Sequence, residues 1–172
     1  ALSSAASDVY KRQSLETRGN VAYFGTFGYE LDITKLTEKE LEQMKEQITF
    51  MKQHRDLIQK GEFYRLESPF KGNQAAWEVV AKDGSEGLMA YFRVRQPIQG
   101  KLERIYFSGL EETKAYEVRE CFGEKTDFGV HYGDELMYVG FSVSDCSSGL
   151  VGVARTGQGD GYSRLFHFRK VN

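Results

Sequence analysis

The chain has 172 residues, 40% hydrophobic and 13% aromatic, with a formal net charge of −2. Such a composition can bury a core and excludes a disordered polymer, and the mild acidity leaves no basic stripe for a nucleic-acid partner. No apolar run reaches the ~18 residues that cross a bilayer, and two cysteines, Cys121 and Cys146, are too few for a disulfide framework and fit a cytoplasmic protein with reduced thiols.

Residues 1–13 show neither a period of two nor one of 3.6, and they carry no turn signature. Their charged trio, Asp8, Lys11 and Arg12, breaks the apolar core that a secretory signal requires. The run resembles one reading frame of a transposase sequencing adapter. It is set aside as a library scar, expected to pack on nothing, Val9 and Tyr10 included. Residues 21–24 then read as a short apolar strand running into a glycine and aromatic loop, FGTFGY at 24–29.

A helix follows. Thr37 and Glu40 have the spacing of a capping box, and Leu36 and Leu41 that of a hydrophobic staple. Leu41, Met44, Ile48, Met51 and Ile58 make an apolar stripe, interrupted by Arg55. Lys60 and Gly61 supply a cationic last turn and a left-handed stop. Strand then helix is half a unit of parallel α/β architecture, and such a strand needs neighbours to satisfy its backbone. None precedes it, so the stripe or the strand is expected to keep unusual apolar exposure.

After Gly61 the period switches to two. Strands are expected at 63–66, 76–82, 86–95, 102–110, 115–121, 136–143, 150–155 and 163–171. Trp77, Val79 and Ala81 fall on one face, and Leu88, Ala90, Phe92 and Val94 on another. Asp83, Gly84 and Ser85 suit a tight hairpin turn. Short strands between glycine-rich turns predict an antiparallel β-sandwich.

Few constellations could carry chemistry. His54, His131 and His167 lie far apart, none with a cysteine or carboxylate at metal-ligand spacing, and structural roles are expected for them. The run 157–161 is glycine-rich like a phosphate loop but precedes a strand, where no helical amides await an anion. Asp134 and Glu135 are neighbours on an expected strand and would face opposite ways, as turn and surface residues. The loop carrying Phe24, Gly25, Thr26 and Phe27 is the one candidate for substrate contact. If 21–24 were a barrel strand, this loop would leave its C-terminal end, where barrel sites are built. The plainer expectation is that these rings plug a rim and pack on the helix.

The segment 17–32, TRGNVAYFGTFGYELD, resembles the final barrel strand of glycoside hydrolase family 36 α-galactosidases. The strings HRDLIQ at 54–59, GEFYRL at 61–66, SPF at 68–70 and GN at 72–73 continue the likeness. GDELM at 133–137 and SRLFH at 163–167 resemble the family's C-terminal β domain. The resemblance implies an α+β chain: the remnant of a (β/α)8 barrel, one strand and one long helix at 14–62, followed by an antiparallel β-sandwich at 63–172. It implies a parent enzyme that removes terminal α-galactose from oligosaccharides such as melibiose and raffinose with retention, without a cofactor, and as a homo-oligomer. Retention needs two carboxyl groups about 5 Å apart. In the family these are aspartates in Lys-Trp-Asp and Ser-Asp-x-x-Asp motifs, and neither motif occurs here. Trp77 precedes Glu78, and Ser144-Asp145 lacks the second aspartate. The fragment alone is therefore expected to hydrolyse nothing. The competing reading is a non-catalytic carbohydrate-binding or structural module, which would expose Trp77, Phe92, Tyr106 and Tyr138.

Overall fold

A computed structural model describes residues 14–30, 32–95, 104–122, 127–143 and 161–171. Residues 1–13, with Val9 and Tyr10, the strand expected at 150–155, Cys146 and most of the 157–161 run lie outside the described residues. The described chain is α+β in three layers, with helices on one face of a six-stranded sheet and a two-stranded sheet on the other.

The expected strand at 21–24 is a helix instead: α1 spans Leu15–Tyr23. Ser14 starts it, its hydroxyl accepting the Thr17 N–H at 3.1 Å. Four apolar residues fit a strand or a buried helical turn equally well by period. The helix wins because it satisfies its own backbone, whereas a strand here would need ladder partners. Its polar residues then serve as anchors rather than loop residues. The Thr17 hydroxyl donates to the Gly161 carbonyl at 3.0 Å, and the Asn20 amide donates to the Ser163 hydroxyl at 3.0 Å.

Helix α2 spans Glu38–Lys60, and its capping box is complete. The Glu40 N–H donates to the Thr37 hydroxyl at 3.3 Å, and the Thr37 N–H donates to the Glu40 carboxylate at 2.9 Å. Its seated face is rotated from the expected stripe. Met44, Gln47, Phe50 and Leu57 are buried, while Leu41, Ile48, Met51 and Ile58 are half-buried. The expected apolar exposure is thus not found on this helix, because α2 packs on the sheet of its own chain. Gly61 does not take the left-handed conformation either, with φ at −70°. Its missing side chain serves close packing: a Cβ there would lie 2.6 Å from the Leu57 carbonyl oxygen and 2.7 Å from that of Val80.

The large sheet contains β1 (Glu62–Glu67), β2 (Gln74–Val80), β3 (Glu86–Arg93), β5 (Ala115–Glu120), β6 (Asp127–Tyr132) and β8 (Tyr162–Val171). Its order is β1-β2-β3-β8-β5-β6, antiparallel throughout. The β2–β3 hairpin closes as expected, with Gly84 at φ +65° and the Asp83 carboxylate accepting the Ser85 N–H at 3.0 Å. The small sheet pairs β4 (Arg104–Ile105) with β7 (Phe141–Ser142). Two expected strands shrink accordingly. Among the described residues of 102–110 only Arg104 and Ile105 pair, and 136–143 begins as a π-helical turn, Glu135–Val139, before β7. The Asp134 carboxylate accepts the Glu135 N–H at 2.7 Å and holds that turn.

Both faces of the large sheet are covered, so alternation does not separate core from solvent. Tyr23, Phe50 and Leu57 pack with Val79, Leu88, Ala90 and Leu165 beneath the helices. Met89, Tyr91, Tyr116, Phe166 and Phe168 pack with Ile105, Phe107 and Phe141 on the far side. Glu78, flanked on its strand by the buried Ala76 and Val80, is 0% exposed. One carboxylate oxygen accepts the Ser108 N–H at 2.9 Å, and the other has no hydrogen-bond partner among the described residues. Burial drives its pKa well above the usual carboxylate range. A carboxyl that holds its proton more tightly when folded stabilises fully below its unfolded pKa, and that contribution is lost as pH rises through the folded pKa. Glu78→Gln, neutral at every pH, is expected to match the parent chain in acid and to exceed it increasingly above pH 5. The gap should grow by at most about 1.4 kcal/mol per pH unit. Urea melts across pH 4 to 8 measure this, and parallel pH profiles for the two chains would refute it.

Candidate functional site

Phe24 ends α1, and the chain leaves it through exposed Gly25 and Thr26 to half-buried Phe27. The two rings part company. Phe24 turns toward β1 and β2, edge-on to Trp77 at 6.1 Å between centroids and 6.2 Å from Phe63. Phe27 folds back on the helix layer, stacked on Tyr23 at 5.2 Å and edge-on to Tyr29 at 5.3 Å. Each ring therefore lines a different cleft. Gly25, Thr26 and Phe27 line one of about 350 Å³ with Met51, Arg55 and Gln59 of α2. This placement accounts for the arginine that interrupts the helical stripe: Arg55 is exposed on the cleft wall. Phe24 lines a larger cleft of about 610 Å³, with Phe63, Arg65, Glu67, Pro69, Phe70 and Trp77 among its walls.

The chemistry available in these clefts is limited. Glu67 is the one carboxylate among their described lining residues, and a retaining glycosidase needs two. Glu78 is buried and lines neither of these clefts. Asp134 and Glu135 are surface residues of the π-helical turn, as expected. His131 is tied locally, with one ring nitrogen 2.9 Å from Glu135 and the other 3.0 Å from the Phe128 carbonyl oxygen.

The aromatic residues that bear on sugar binding divide. Phe92 is buried and Trp77 half-buried on the helix side, whereas Tyr106 and Tyr138 are exposed on other parts of the surface, at 48% and 66%. They do not form one row.

The sequence model of the glycosyl hydrolase family 36 C-terminal domain matches residues 74–168, more than half of the chain. The chain belongs to glycoside hydrolase family 36. A second model, described as melibiase, matches residues 2–61. Among curated proteins, the α-galactosidase AgaA of Geobacillus stearothermophilus is 49% identical over 138 residues, covering 80% of this chain and 18% of its own. The α-galactosidase Mel36A of Lactobacillus acidophilus is 33% identical over 91% of this chain and 19% of its own. Among solved structures, a variant of the Geobacillus stearothermophilus AgaA in complex with raffinose superposes with a TM-score of 0.82 at 42% identity, covering 99% of this chain and 21% of that one. The Lactobacillus brevis α-galactosidase matches with a TM-score of 0.82 at 36% identity, covering 99% and 22%. The chain spans about a fifth of the length of these relatives.

Trp77-Glu78 stands within β2 of the large sheet, and Ser144-Asp145 lies outside the described residues. Neither spells Lys-Trp-Asp or Ser-Asp-x-x-Asp.

Proposed function

We propose that this chain serves as the C-terminal portion of a retaining family 36 α-galactosidase that cleaves terminal α-galactosyl residues from raffinose-type oligosaccharides. On this reading residues 14–62 close the catalytic barrel and residues 63–172 form the β domain. The enzyme works in the cytoplasm as a homo-oligomer. No helix among the described residues is long and apolar enough to cross a membrane. The observation that carries the proposal is the pairing of family likeness with clefts whose described walls hold a single carboxylate, Glu67. The reacting acids then come from elsewhere in the enzyme, and this chain braces the barrel. The turn Phe24, Gly25, Thr26 and Phe27 is its one contribution to substrate contact.

Two measurements test this. The purified chain should release no nitrophenol from nitrophenyl-α-galactoside, and measurable turnover would overturn the reading. When residues 14–172 replace the matching segment of the Geobacillus stearothermophilus AgaA, raffinose hydrolysis should persist. In that chimera Phe27→Ala should raise KM by roughly threefold to tenfold, the worth of one aromatic contact. An unchanged KM would remove the turn from the substrate site.

A further inference from the structure

The fold gathers two histidines and a carboxylate from three separate elements at the junction of helix and sheet. His54 comes from α2, Glu86 from the first residue of β3, and His167 from β8. One ligand atom from each lies within 4.8 Å of the others. His167 Nε2 stands 3.0 Å from Glu86 Oε2, and the two imidazole rings are 5.1 Å apart between centroids. The register explains the meeting. His167 pairs with Leu88, and Glu86 lies two residues before Leu88 on the same face of β3. That face is the one α2 covers, which brings His54 over it.

The geometry points to a binding site for one divalent transition-metal ion, of the zinc class, held by His54, Glu86 and His167. Nitrogen ligands bind zinc at about 2.0–2.1 Å and carboxylate oxygens at about 2.0–2.2 Å, so tetrahedral ligand atoms sit about 3.4 Å apart. The His167–Glu86 pair is already near that spacing. The remaining separations need to close by about 1.4 Å at most, within reach of side-chain rotation at three half-buried positions. Two imidazoles and one carboxylate suit zinc, cobalt or nickel rather than calcium or magnesium, which prefer oxygen shells. The Phe50 ring, 4.4 Å from that of His54, walls the inner side. Partial exposure leaves an entry path on the outer side.

An ion here would clip α2 to the sheet, because its ligands belong to both. A ligand that binds only the folded chain stabilises it by mass action, so the effect is measurable without catalysis.

The test is calorimetric titration of the purified chain with Zn2+, run beside thermal melts. One ion per chain and a raised Tm are expected. His54→Gln and His167→Gln should each weaken binding by about tenfold or more, since losing even an outer-shell partner costs about 10–100-fold. Glu86→Gln, which can still hydrogen-bond His167, should also bind more weakly and so separates metal ligation from a plain hydrogen bond. His131→Gln should bind as the parent does. Absence of saturable one-to-one uptake overturns the site, as does uptake unchanged in the His54 and His167 variants.

Discussion

Glu120→Ala is expected to destabilise the chain by about 3–5 kcal/mol, the usual penalty for removing one member of a buried ion pair. Arg164 is 3% exposed and meets Glu120 through two parallel contacts of 2.7 Å each. Its remaining nitrogen donates to the Val143 carbonyl at 2.7 Å, and the guanidinium lies 4.9 Å from the Phe166 ring centroid and 5.2 Å from that of Phe128. The guanidinium thus ties β5 and β8 to the segment leaving β7, and it cannot turn toward water without giving up those contacts. Such a planar fork matches a carboxylate in a way that a lysine would not. Glu117, three residues before Glu120 on β5, pairs with the exposed Arg119. Its removal should leave the urea midpoint nearly unchanged. Equilibrium urea denaturation of the two variants measures the contrast, and equal midpoints would show that the Arg164 pair carries no special weight. Converting both partners to apolar residues should recover much of the loss, because burying two charges is itself costly.

What the sequence disclosed was what local chemistry controls. The α2 start was legible because Thr37 and Glu40 act across a single turn, and the β2–β3 hairpin because Asp83 and Gly84 fix the backbone within it. The strands flanking that hairpin followed from period two. Elements whose conformation depends on distant partners were harder to read. The turn Glu135–Val139 has the apolar content of a strand, yet Tyr138 and Val139 are exposed, and Asp134 caps a helical turn instead. Strand β6 was hidden because four of its six residues are exposed and Gly129 interrupts it with φ at +83°. Alternation sets Glu78 on the face opposite Trp77 and Val79 without saying what covers that face. Only the second covering layer makes it buried. His54, Glu86 and His167 carry no sequence spacing that could announce them, since sheet register and the seating of α2 together set their meeting. The turn at Phe24–Phe27 was legible as a place, while the divergence of its two rings into separate clefts follows from α1 being helical.

Tyr23 tests that last point most directly, because it is the last residue of α1 and is 0% exposed. Its ring stacks on Phe27 at 5.2 Å and Phe122 at 6.2 Å, and meets Phe50 of α2 at 4.9 Å. One side chain therefore joins both helices to the segment after β5. Tyr23→Ala should cost about 3–5 kcal/mol, the range for removing a large ring from a packed core. Tyr23→Phe should cost less than about 1 kcal/mol, since the hydroxyl reaches the Gln47 carbonyl only at 3.5 Å. Trp77, the single tryptophan, touches Phe24 at the end of the same helix and reports on helix docking. In Tyr23→Ala its fluorescence transition in urea should precede the far-ultraviolet signal of the sheet, because the lost ring binds the helical layer more than the sandwich beneath it. If 21–24 were instead a strand whose rings reach only an outer rim, the alanine variant would melt with the parent and both signals would coincide.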